Sequence, residues 1–105
     1  MLEADGLLLG STENFGSMSG LIKDFMERTY YPVLEQKQGM PYALFIKAGE
    51  DGQGAVSSLQ RIITGLRWQE IQAPLICRGK VTQPFLVRAS ELGMTMAAGL
   101  EAEIY

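Results

Sequence analysis

Two stretches hold the residues best suited to chemistry, Ser11-Thr-Glu-Asn-Phe-Gly16 and Ala48-Gly-Glu-Asp-Gly-Gln-Gly54. In the first, small residues leave backbone N–H groups open to a ligand. Ser11, Thr12 and Asn14 add hydrogen-bonding side chains, and Phe15 offers a ring on which a flat group can pack. In the second, Gly49, Gly52 and Gly54 allow a ligand to approach the backbone closely. This stretch lacks the Lys-Ser/Thr that closes a nucleotide P-loop. Glu50 and Asp51 would also repel phosphate, so a heterocycle or a sugar hydroxyl suits it better. Both stretches equally suit ordinary connections between elements, and spacing alone leaves the two alternatives level.

The chemistry the chain cannot do by itself is just as informative. It has no histidine and one cysteine, Cys77. That removes the commonest general base and metal ligand, and a structural zinc site with them. No residue is singled out as catalytic and no metal is expected, so any reaction must draw its chemistry from a bound cofactor. Trp68 reads as a packing residue and Cys77 as an inert buried thiol. The six methionines read as core filler. Glu101 and Glu103 read as a solvated helix end, and Glu70 receives no role.

The elements that must position these stretches follow from periodicity. Gly6 to Leu9 is a short apolar run, as expected of a buried strand. Ser19 to about Gln36 has helical spacing, with Leu21, Ile22, Phe25, Met26 and Tyr30 on one face. Lys23 and Glu27 are placed to pair at i,i+4, and Pro32 should end or kink the helix near Tyr31. Tyr42 to Ile46 is a second strand, and Ala55 to about Leu66 a second helix with Val56, Leu59, Ile62, Ile63 and Leu66 inward. Trp68 to Cys77 is extended but broken by Pro74, which suits an edge strand or a bulge. Thr82 is an N-cap candidate with Pro84 in the first turn. The last helix runs to about Ala102, with Phe85, Ala89, Leu92, Met96 and Leu100 on its core face. Strands alternating with helices predict a parallel sheet with right-handed crossovers. Both stretches then fall side by side at the carboxyl edge of that sheet, where open α/β folds bind ligands, and should together form the main concave site.

Composition bounds the class. At 105 residues, 47% of them hydrophobic, residues 1–105 are expected to form one globular domain. A net charge of −3 without a Lys/Arg cluster argues against a nucleic-acid partner. No apolar run is long enough to span a membrane, and no basic leader precedes one. A cytoplasmic protein is the expectation.

Gly10-Ser-Thr-Glu-Asn-Phe-Gly-Ser-Met-Ser-Gly20 running into Lys23-Asp-Phe, the loop Ala48 to Gly54, and Glu91-Leu-Gly93 together carry a resemblance. The sequence resembles the flavodoxin-like FMN-binding proteins. Within them it is most similar to the branch with NAD(P)H:quinone oxidoreductases and tryptophan-repressor-binding-like flavoproteins. The resemblance implies a three-layer flavodoxin-like α/β fold with a parallel sheet, truncated to its last three strands and helices. It implies FMN as cofactor, with Thr12, Glu13, Asn14, Phe15 and Gly16 near the ribityl chain and one side of the ring, and Ala48, Gly49, Glu50, Asp51 and Gly52 near the ring edge. It also implies electron or hydride transfer with NAD(P)H or a quinone as partner. Glu13, Glu50 and Asp51 would then lower the flavin's reduction potential by Coulomb repulsion.

The sequence departs from the family pattern in having Ser11 and Thr12 where relatives often have Thr and Pro. It also has no counterpart of the family's phosphate-binding loop, so FMN binding by this chain is expected to be weak or lost. A remnant or interaction module that binds no flavin is the alternative. A receiver-type signalling domain fits poorly, since it needs clustered acids for Mg²⁺ at strand ends. The first strand should present an unpaired apolar edge, and a homodimer or higher oligomer through that edge and the last helix is expected.

Overall fold

The computed structural model describes residues 1–105. Its elements are β1 (Leu7–Asn14), β2 (Ser17–Met18), α1 (Gly20–Val33), β3 (Pro41–Ala48), α2 (Gln53–Leu66), β4 (Gln69–Glu70), β5 (Leu75–Arg78) and α3 (Gln83–Glu101). β3 is the central strand. It pairs in parallel with β1 on one side, and with β4 and then β5 on the other. The flavodoxin-like α/β architecture is therefore present, with three helices and a mainly parallel sheet. The sheet has five strands rather than three, because the first loop folds into an antiparallel hairpin and the Trp68 to Cys77 segment splits into two short strands.

Strand alternation sorts the core onto two faces. Leu9, Tyr42, Leu44 and Ile46 face α1 and α2, and pack with Met26, Val33, Val56, Leu59, Ile63 and Leu66. The opposite residues of β3, Ala43 and Phe45, lie with Leu75 and Cys77 beneath α3, which buries Leu92 and Met96. At Gly6 an added Cβ would press on Met96 and Leu100, so α3 rides directly over the start of β1.

The helix starts are as the sequence predicts. Ser19 Oγ accepts the Ile22 N–H at 3.2 Å, and Thr82 Oγ1 accepts the Phe85 N–H at 3.4 Å. Helix α1 tolerates Pro32 in its last turn and ends at Val33, short of Gln36. The Lys23–Glu27 pair does not form; Arg28 and Asp24 approach to 3.6 Å instead. On α3 the deeply buried positions are Leu92, Met96 and Gly99, while Phe85, Ala89 and Leu100 are half-buried. Trp68 and Cys77 are buried, as are Met18, Met26, Met40 and Met96; Met94 is 61% exposed and is not core filler. Glu70 has a structural role, accepting hydrogen bonds from Gln60 Nε2 at 3.0 Å and, at a long 3.4 Å, from the Tyr42 hydroxyl. No helix is long and apolar enough to cross a membrane.

Candidate functional site at the carboxyl edge of the sheet

β1 continues well past its apolar run. Gly10, Ser11 and Thr12 stay in register with Phe45, Ile46 and Lys47 of β3. Glu13 and Asn14 then pair with Met18 and Ser17 of β2. The expected binding loop is thus strand up to Asn14, and only Phe15 and Gly16 form the turn. Their φ angles of 50° and 72° make a two-residue hairpin of the type with positive φ at both central positions. Gly meets that demand without strain, whereas Phe does not. The Phe15 ring is nevertheless fully exposed, so no packing within the chain compensates for the strained turn.

The hairpin is held against the start of α2. Glu13 Oε2 accepts the Ala55 N–H at 3.1 Å, and the Met18 N–H donates to Ser58 Oγ at 3.1 Å. An added Cβ at Gly54 would collide with the Gly16 carbonyl, so glycine is needed for this close approach. Gly52, the residue before α2, has φ 73° and no side-chain cap of its own. Glu13 supplies the missing cap from another element.

The second stretch leaves β3 at Ala48 and turns through Gly49, Glu50 and Asp51, all three exposed. Asp51 Oδ1 accepts the Gln53 N–H at 3.1 Å, which fixes the turn. The backbone N–H groups of Gly49, Glu50 and Asp51 find no partner within the chain. They are free donors beside the hairpin.

The structure therefore brings both stretches to one end of the sheet, but the concavity there is not the expected one. The hairpin leans onto α2 and fills the space between the stretches on that face. An open cleft of about 590 Å³ lies instead along the unpaired edge of β1, between α1 and α3. Its walls are Phe45, Phe85, Leu21 and Ile22, and its polar groups are Ser11, Thr12, Ser19 and Lys47. Of the residues expected at the site, only Ser11 and Thr12 line it. Lys47 was hidden to sequence reasoning because it follows an apolar run and looks like the first residue of a loop. Strand alternation with Ala43 and Phe45 was the signal that could have placed it. A second groove of about 390 Å³, between α1 and α2, is lined by Met26, Glu27, Tyr30, Tyr31 and Ile62 and contains none of the expected residues.

Comparison with known proteins agrees with the fold. Residues 1–83 match the family described as NADPH-dependent FMN reductase, and the chain belongs to that family. A solved structure described as a flavodoxin from the domain Archaea shares the fold. It superposes with a TM-score of 0.75 at 20% identity, covering 94% of this chain and 67% of that one. No curated protein matches the sequence significantly.

Proposed function

We propose that the chain binds FMN at the carboxyl edge of β1 and β3 and serves NAD(P)H-dependent electron or hydride transfer. The observation that carries this reading is the set of unpaired N–H groups at Gly49, Glu50 and Asp51 beside an exposed aromatic ring on a strained turn. Free backbone donors suit the carbonyl and ring-nitrogen acceptors of a flat heterocycle. Phe15 suits its face. When bound, the flavin supplies the redox chemistry between a nicotinamide donor and a quinone or similar acceptor. The chain's own residues bind and orient it. Ala48 and Gly52 bracket the donor loop, while Thr12, Asn14 and Gly16 line the approach along the hairpin. Glu13 holds the hairpin to α2 and keeps the two stretches together.

The test is direct. The purified protein is titrated into FMN and into riboflavin while flavin fluorescence is followed. Saturable quenching, lost on denaturation, supports the reading. Quenching of neither flavin refutes it.

One observation favours a second reading, an interaction module that binds no flavin. Leu7 to Thr12 is hydrogen-bonded to β3 alone, and the opposite edge of this stretch has no partner strand. Leu8 is 37% exposed there, next to α3, where Leu86 and Met94 are also exposed. Such an edge pairs readily with another chain. A homodimer across it is compatible with either reading. Flavin binding without self-association, or the reverse, separates them.

A further inference from the structure

We propose that Ser58 is a positioning residue: from α2 it fixes the tilt of the β1–β2 hairpin, and so the place of Phe15 beside the free donors of Gly49, Glu50 and Asp51. The effect on a ligand rests on the flavin reading above; the clamp itself does not. β1 and β2 share only the pairs Glu13 with Met18 and Asn14 with Ser17. A ribbon that short is not stable in water by itself. The start of α2 holds it. The Gly16 carbonyl lies against Gly54, Glu13 Oε2 accepts the Ala55 N–H at 3.1 Å, and the Met18 N–H donates to Ser58 Oγ at 3.1 Å. The two hydrogen bonds are reciprocal. β1 offers a side chain to the backbone of the helix, and β2 offers its backbone to a side chain of the helix. Ala55 and Ser58 share one face of α2, so the hairpin is fastened through both strands and cannot pivot about either bond alone.

Ser58 is itself held in place. Its hydroxyl donates to the Ala55 carbonyl at 3.0 Å, which aims its lone pairs at Met18. Met18 is buried, so this bond lies beneath the hairpin and not on a surface offered to a ligand. On the far side, Ser11 Oγ accepts the Ser19 N–H at 3.0 Å and donates to the Thr12 carbonyl at 2.8 Å, tying the end of β2 back to β1. The Phe15 ring is fully exposed on its strained turn, so its position is inherited from the clamp. The donor loop runs through Gly52 directly into the same helix. Fastening the hairpin there makes the two stretches one body, and such preorganisation raises affinity by removing an ordering cost from binding. Glu13 carries a charge that a ligand would feel directly. Ser58 is uncharged, and is the member of the clamp through which positioning can be read alone.

The experiment compares Ser58→Ala, Ser58→Thr and Ile63→Val in the full chain. Ser58→Ala removes the acceptor. Ser58→Thr keeps it, since a helical threonine also bonds the carbonyl one turn back. Ile63→Val trims the core face of the same helix and controls for general destabilisation. The first measurement needs no flavin. Amide hydrogen exchange at Asn14, Ser17 and Ala55, followed by NMR, should quicken about tenfold in Ser58→Ala and stay at the wild-type rate in the other two. Unchanged exchange in Ser58→Ala overturns the proposal whatever the protein does with flavin. The second is titration with FMN, followed by flavin fluorescence. Ser58→Ala should bind about fivefold more weakly, with Ser58→Thr and Ile63→Val within about twofold of the wild type. Undiminished affinity in Ser58→Ala overturns the positioning role. So does an equal loss in Ile63→Val, which would mark a merely structural effect, or in Ser58→Thr, which would dismiss the hydroxyl. Wild-type protein that quenches no flavin, with the exchange result as expected, refutes the flavin reading and leaves the clamp standing.

Discussion

Glu13 of β1 caps a helix that begins forty residues after it in the chain: its Oε2 accepts the N–H of Ala55 in the first turn of α2 at 3.1 Å. The positive end of the helix and the carboxylate favour one another. Glu13→Ala leaves the Ala55 N–H without a side-chain acceptor, since Gly52 provides none and Asp51 is committed to the Gln53 N–H. The expected loss is about 1 kcal/mol, the usual worth of a cap. Urea unfolding would read it as a lower midpoint at unchanged slope, and an unchanged midpoint would show that solvent replaces Glu13 without cost.

Phe15→Asn turns the hairpin tip into Asn-Gly, the pair best suited to two consecutive positive φ angles. Relief of the strained Phe should raise stability by about 0.5–1 kcal/mol. The same change removes the exposed ring and should weaken flavin binding. A variant that is stabilised yet binds flavin as well as before would remove Phe15 from the site.

Tyr42 offers a pH test at the other end of the sheet. Burial, and then the negative charge and hydrogen bond of Glu70, push its hydroxyl up to about 12. An unfolded tyrosine ionises near 10, at about its ordinary value. The folded state holds the proton longer, so this contribution to stability is complete below about pH 10 and is lost as pH rises toward 12. Ultraviolet titration should show one tyrosine of the four ionising last. Tyr42→Phe should flatten the alkaline fall in stability.

Leu8→Lys places a charge on the unpaired edge of β1, beside Gly93 of α3. If two chains meet there, sedimentation should show the variant as monomer at concentrations where the wild-type protein is dimeric. A wild-type protein that remains monomeric at high concentration would refute association through this edge.

Much of this molecule is legible from residue types. Ser19 and Thr82 mark two helix starts because a hydroxyl before a periodic segment has a specific task there. The strand cores at Leu9 and Leu44 announce themselves by apolar runs. The continuation of β1 through Ser11, Thr12, Glu13 and Asn14 does not, because its pairing comes from β3 and from the hairpin rather than from its own hydrophobicity. A Phe at positive φ is not a turn signal, so the hairpin was invisible. Gly54 reads in the sequence as a ligand-facing glycine, and in the structure it is the landing point of the Gly16 carbonyl. The shape of this end of the sheet is hidden in the sequence for the same reason. Two loops at one sheet edge are expected to enclose a ligand between them, and here one of them docks on the helix that follows the other.

The alternation that puts Glu13 against α2 and Lys47 in the cleft makes the number of residues in β1 a more guarded property than their identity. Exchanging Thr12 for another small residue changes one contact. Inserting a single residue between Gly10 and Thr12 would rotate everything after it by half a turn of the strand, swinging the acid toward the lysine, stripping α2 of its cap and lifting the hairpin from Gly54. Natural variation in this stretch should therefore consist of replacements and almost never of insertions or deletions.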